Sequence, residues 1–184
     1  MPEARASGYI HYFCFMRIYL LGFMGSGKSH WGKLWAKTHQ VDFLDLDKEI
    51  ENACGLSIPH IFEKKGEGFF REMEAEMLRA TAARQNCIVS CGGGAPCFSG
   101  NMEWMNANGH TVFLEATPVY LFENIKKEAG TRPLINHMNE AELLFFIEQK
   151  LKERMPFYSQ AKTIVSAKDL TEQSFENIIQ QITS

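Results

Sequence analysis

The residues with the clearest chemical capacity are Gly22-Phe23-Met24-Gly25-Ser26-Gly27-Lys28-Ser29, which match GxxxxGK[ST]. Placed between a strand and a helix, such a loop turns backbone N–H groups inward around phosphates, and the helix dipole adds to the attraction. In this reading Gly25, Ser26, Gly27 and His30 belong to the nucleotide site. Lys28 reaches the β- and γ-phosphates, and the Ser29 hydroxyl can sit on Mg²⁺. A chance glycine-rich turn with a solvated lysine is the weaker alternative, because the flanking sequence supplies both the strand and the helix. The motif marks a nucleotide-phosphate site. It is shared by GTPases, motors and transporters, so other residues must narrow the class; a guanine-specifying NKxD is not recognisable.

Asp45 and Asp47 stand two apart at the end of the next apolar run. One carboxylate can hold a metal-bound water while the other orients a hydroxyl and takes its proton. The competing reading makes Asp45 a strand end and Asp47 a helix N-cap. Gly92, Gly93 and Gly94 follow a third apolar run, where a ligand can approach the backbone closely; a flexible connector is the alternative. Arg132, in a polar stretch near 127–139, can bring a cation to a transferring phosphoryl group from a mobile lid. Arg71 and Arg154 are further candidate cations. Taken singly, each arginine also reads as a surface side chain on an apolar helix.

These groups need a scaffold that brings them together. Apolar runs at 17–21, 41–44, 87–90, 110–115 and 163–166 read as strands. Helical spacing covers 28–38, 47–53, 59–64, 66–84, 118–127, 140–155 and 171–182. In 66–84, Phe69, Met73, Met77 and Leu78 share a face; in 140–155, Leu143, Leu144, Ile147 and Leu151 do. Strands alternating with helices predict an α/β domain around a mostly parallel sheet, with ligands at the carboxyl ends of the strands.

The 184 residues suit one domain, and 45% hydrophobic with 22% charged residues is an ordinary globular balance. A net charge of -3 without a basic run argues against nucleic acid and for a small-molecule partner. Cys14, Cys54, Cys87, Cys91 and Cys97 fit neither a disulfide framework nor a tetrahedral metal set. Free thiols point to the cytoplasm. The aromatic-rich start is interrupted by His11 and Arg17 and lacks a small-residue cleavage site, so it reads neither as a signal peptide nor as a membrane anchor. Residues 1–15 are expected to be a disordered extension, and 16–184 a single domain.

In order and spacing, the P-loop, the Asp45–Asp47 pair, Phe70-Arg71, the three glycines, Arg132-Pro133-Leu134 and the RxPxY of Arg154 to Tyr158 resemble the shikimate kinases. The likeness runs from about residue 17 to the C-terminus. It implies a three-layer P-loop sandwich of the nucleoside-monophosphate-kinase type, with a five-stranded parallel sheet. It implies ATP and shikimate as substrates, Mg²⁺ as cofactor and a monomer. By resemblance, Lys28 binds phosphate, Ser29 binds magnesium, and Asp45 holds magnesium through water. Asp47 binds the acceptor hydroxyl and acts as base. Arg71 and Arg154 grip the acceptor's carboxylate and ring hydroxyls, and Glu74 steadies Arg71. Phe62, Phe70 and Gly92 to Gly94 shape the pocket, and Arg132 is the lid arginine. Two departures concern adenine: Lys126-Lys127 stands where the family often has an arginine, and Ser166-Ala167-Lys168-Asp169 follows the last strand. A gluconate or nucleoside-monophosphate kinase, and a catalytically silent metabolite-binding module, are the rival readings.

Overall fold

In the first strand alternate residues leave opposite faces of the sheet, and both faces are buried. Ile18 and Leu20 pack in one apolar cluster, Tyr19 and Leu21 in the other. A strand buried on both sides must sit centrally in a parallel sheet covered by helices. The computed structural model, which describes residues 16–127 and 138–183, has that architecture. Five parallel strands, β1 (Arg17–Leu21), β2 (Asp42–Asp45), β3 (Cys87–Ser90), β4 (His110–Glu115) and β5 (Thr163–Ser166), run in the order β2-β3-β1-β4-β5.

On one face lie α1 (Lys28–His39) and the last helix, α7 (Ser174–Thr183), which meet through stacked Trp35 and Phe175 rings 5.2 Å apart. On the other lie α2 (Leu46–Cys54), α3 (Ile58–Ala80), α4 (Asn101–Asn108), α5 (Pro118–Lys127) and α6 (Glu140–Tyr158). Full burial of each large apolar side chain contributes about 1.5–3 kcal/mol, so the two clusters on either side of the sheet carry the stability. The three-layer expectation holds.

The break expected between helices 59–64 and 66–84 is present within Ile58–Ala80, at Gly66, whose φ of 81° and ψ of 171° are non-helical. Two local differences from the sequence reading have physical causes. The helix expected to end at 155 continues to Tyr158, with Pro156 inside it. Proline forfeits one N–H bond there, but Ser159 N–H still reaches the Met155 carbonyl at 2.9 Å, which closes the last turn. Helix α4 is absent from the elements read in the sequence. It is short, its N-cap is Gly100 in a left-handed conformation, and no side chain caps it, so the usual start signals are missing.

Candidate active site

The phosphate-loop side of the site is built almost entirely from one continuous stretch. β1 feeds the turn from Gly22 to Gly27, and Gly27, at φ 91°, is the N-cap of α1. That angle favours glycine, and no side chain caps the helix, an arrangement that leaves its positive end facing the loop. The Lys28 ammonium is buried and donates to the carbonyls of Gly22 (2.8 Å) and Phe23 (2.9 Å). Ser26 is fully buried, and among the described residues its Oγ has no hydrogen-bond partner. Asn124 of α5 donates to the Gly25 carbonyl at 2.9 Å, holding that helix across the loop. A cavity of about 190 Å³ opens here, lined by Gly25, Gly27, Lys28, Ser29, His30, Asp45, Asp47 and Gly92 among others.

Sheet register assembles an oxygen-rich corner beside this loop. Asp45 of β2 pairs with Ser90 of β3. The Ser29 hydroxyl donates to Asp45 Oδ2 at 2.7 Å and lies 3.1 Å from Ser90 Oγ. Hard oxygen donors next to a phosphate loop suit Mg²⁺, which binds through one or two carboxylates and keeps several waters. Asp45, rather than Asp47, is the N-cap of α2, through a long 3.4 Å contact from Lys48 N–H. Asp47 lies in the first helical turn and lines the cavity. Capping therefore does not account for Asp47.

The other side of the site comes from elements far apart in sequence. They converge on Gly92 to Gly94, just past β3. An ideal Cβ on Gly92 would meet Asp47 Oδ1 at 2.7 Å and Glu74 Oε1 at 3.0 Å. On Gly93 it would meet Arg154 Nη1 at 2.9 Å, and on Gly94 the Arg71 Nη2 and Nη1 at 2.9 and 3.0 Å. Each glycine thus makes room for a different charged side chain. Arg71 Nη1 donates to Glu74 Oε2 at 2.7 Å, as its place one turn along α3 predicts. The Arg154 guanidinium stands 5.1 Å over the Phe23 ring, which ties α6 to the phosphate loop. Phe62 and Phe70 pack at 4.8 Å beneath.

Electrostatics separate the half-buried Asp47 and the buried Glu74 from ordinary carboxyls. Burial pushes Asp47 up from its usual range; Asp45 adds to this, and Lys28 and Arg71 oppose it. Burial also pushes Glu74 up to about 7 against the pull of Arg71. Among the described residues its buried Oε1 has no hydrogen-bond partner.

Tyr158 is a residue whose role sequence reasoning missed. It lies one turn after Arg154, its hydroxyl donates to the Gly93 carbonyl at 2.5 Å, and its ring stacks 4.7 Å from Phe113. The tyrosine of RxPxY was visible, but nothing local links it to the glycines. Arg132 and the lid core lie outside the described residues. The described ends of that stretch are joined: Lys126 Nζ is 2.6 Å from Glu140 Oε1, beside an Asn139–Glu142 capping box. A larger cavity of about 720 Å³ lies between the starts of α5 and the end of α6, and its lining includes none of the phosphate-loop residues. Among the described residues no helix is long and apolar enough to cross a membrane.

The chain matches the family model "Shikimate kinase" over residues 24–183. It is 41% identical to a shikimate kinase of Bacteroides thetaiotaomicron over 91% of this chain and 96% of that protein. It is 38% identical to one of Aquifex aeolicus over 89% and 94%. A crystal structure of shikimate kinase from Bacteroides thetaiotaomicron superposes with a TM-score of 0.84 at 40% identity, covering 92% of this chain and 97% of that one. One from Acinetobacter baumannii in complex with shikimate gives 0.80 at 30%, covering 94% and 95%. A gluconokinase from Sinorhizobium meliloti, at 16% identity and a TM-score of 0.56, shares the fold alone. Sequence match, superposition and converging side chains agree: this chain belongs to the shikimate kinase family.

Proposed function

We propose that the protein transfers the γ-phosphoryl group of ATP to the 3-hydroxyl of shikimate, giving ADP and shikimate 3-phosphate. The observation that carries this is the convergence of Asp47, Arg71 and Arg154 on the three glycines beside Lys28. One carboxylate for a hydroxyl and two guanidiniums for a carboxylate are the complement of a hydroxylated acid.

The transition state of such transfers is largely metaphosphate-like, so the protein supplies positioning and charge. Asp47 accepts the hydroxyl proton as the new O–P bond forms and the bond to the β,γ-bridging oxygen breaks. Its raised affinity for protons suits a base. Lys28 leaves its carbonyl partners to neutralise charge on the phosphates, and Arg132 adds a second cation from the lid. Gly25, Ser26, Gly27 and His30 frame the nucleotide. Ser29 directly, and Asp45 through water, would hold Mg²⁺. That ion supplies neutralisation of charge on the β- and γ-oxygens when bound. Residues 16–184 form the kinase domain, with 1–15 an extension and the lid near 127–139. The enzyme works as a monomer in the cytoplasm, where its free thiols at Cys54, Cys87, Cys91 and Cys97 stay reduced.

Coupled ADP release tests this reading. ADP should appear only when shikimate is present, and gluconate or a nucleoside monophosphate should not replace it. Equal ADP release without shikimate, or none with it, would overturn the assignment.

A further inference from the structure

Phe98 is one of the large apolar side chains that the fold leaves exposed, at 38%. It lies in the segment between the three glycines and α4. The Arg71 guanidinium carbon stands 3.9 Å over its ring, closer than the 5.1 Å to Phe70. A cation over an aromatic face is held by the ring quadrupole, more strongly where water is partly excluded. Arg71 is only 16% exposed.

The guanidinium has five N–H donors. Nε and one Nη2–H go to Glu67 Oε1 at 3.2 and 3.1 Å, and one Nη1–H goes to Glu74 at 2.7 Å. Among the described residues one N–H remains on each Nη. Both nitrogens pack closely against Gly94, where even a Cβ would stand within 3.0 Å of each. Two unspent donors on one guanidinium can take a carboxylate in bidentate fashion. Hydrogen bonds along the other edges fix where the group lies, from the buried Glu74 and from Glu67, which is 56% exposed. A ring against the flat face adds a restraint perpendicular to those bonds.

Phe98 is itself held in place. Its carbonyl accepts from Asn101 N–H at 2.9 Å. Ser99 and Gly100 are both left-handed, at φ 53° and 64°, and reverse the chain directly after it. Arg79 donates to the Ser99 carbonyl at 2.8 Å and to Asn101 Oδ1 at 2.6 Å. The fully buried Asn101 donates to the Ala95 carbonyl at 2.9 Å. Thus α3 grips this loop with Arg79 two turns beyond Arg71, and the loop returns a ring to Arg71.

We infer that Phe98 is a positioning residue for acceptor recognition, its ring fixing the plane in which the Arg71 guanidinium offers its two remaining donors to a carboxylate. This rests on the reading that Arg71 grips the acceptor acid. The test compares Phe98→Leu, Phe98→Tyr and Arg71→Ala in the full chain, by shikimate titration and steady-state kinetics. Phe98→Leu keeps apolar cover and loses the π face; it should raise the shikimate Kd and KM about 3- to 30-fold. Its kcat should stay within about 2-fold and its KM for ATP should not move. Phe98→Tyr should bind shikimate like the parent. Parental affinity in Phe98→Leu alongside a loss in Arg71→Ala would overturn the role of Phe98 alone. Equal weakening in the leucine and tyrosine variants would also overturn it, reducing Phe98 to packing. Parental affinity in Arg71→Ala would overturn the acceptor-site reading and this inference together.

Discussion

The donor and acceptor halves of the site are built by opposite strategies. The donor half is a backbone device: eight consecutive residues, a left-handed glycine at the helix start and one lysine folded onto carbonyls of its own loop. The acceptor half is a side-chain device. Its charges come from α2, α3 and α6 and meet over a glycine run that has no side chains to obstruct them. In the proposed reading, the contiguous backbone cradle recognises what all nucleotides share. The cradle drawn from distant elements can be altered one side chain at a time, and that reading puts specificity there.

Four substitutions probe this contrast. The largest effect belongs to the donor half. Lys28→Ala should lower kcat by about 100- to 1,000-fold or more, because it removes charge where phosphoryl charge develops. A folded variant with near-parental kcat in the coupled assay would refute the donor assignment. Next comes Gly94→Ala. Its backbone, at φ -89° and ψ -15°, accepts alanine without strain. The methyl group would crowd both Arg71 Nη atoms and push the guanidinium out of place, so shikimate affinity should fall about 10- to 100-fold. Calorimetric titration should show ATP affinity unchanged.

The smallest effect concerns stability rather than turnover. Glu74 titrates near 7 in the folded chain against an ordinary 4.5. The folded state therefore holds this proton where the unfolded state has released it. The resulting stabilisation is complete below about pH 4.5 and is lost as pH rises toward 7. Glu74→Gln should flatten that slope, by about 1–3 kcal/mol between pH 5 and 8. Urea unfolding midpoints at the two pH values measure it, and parallel pH profiles for parent and variant would contradict it.

The same contrast explains what could be read in the sequence. The strands, the helix after the P-loop and the five-stranded sheet were legible, because periodicity and the GxxxxGK[ST] loop are local signals. Asp45, Asp47 and the three glycines were legible as positions, but their meaning came from the family likeness. Phe98 and Tyr158 were not legible as parts of the site. Their partners, Arg71 and the Gly93 carbonyl, are 27 and 65 positions away along the chain. Helix α4, which anchors the Phe98 loop, begins without a capping side chain. Pro156 hid the last turn of α6, and with it the shared helix that places Tyr158 next to Arg154.

The most direct test of separate donor and acceptor devices is Arg71→Lys, titrated with shikimate and, separately, with ATP. Lysine keeps the charge and loses the planar fork. Loss of a hydrogen bond to a charged group costs roughly 1.5–3 kcal/mol, or about 10- to 150-fold in affinity. Shikimate affinity should fall by that order while ATP affinity holds within about 2-fold. Unchanged shikimate binding, or an equal loss for both ligands, would contradict the account.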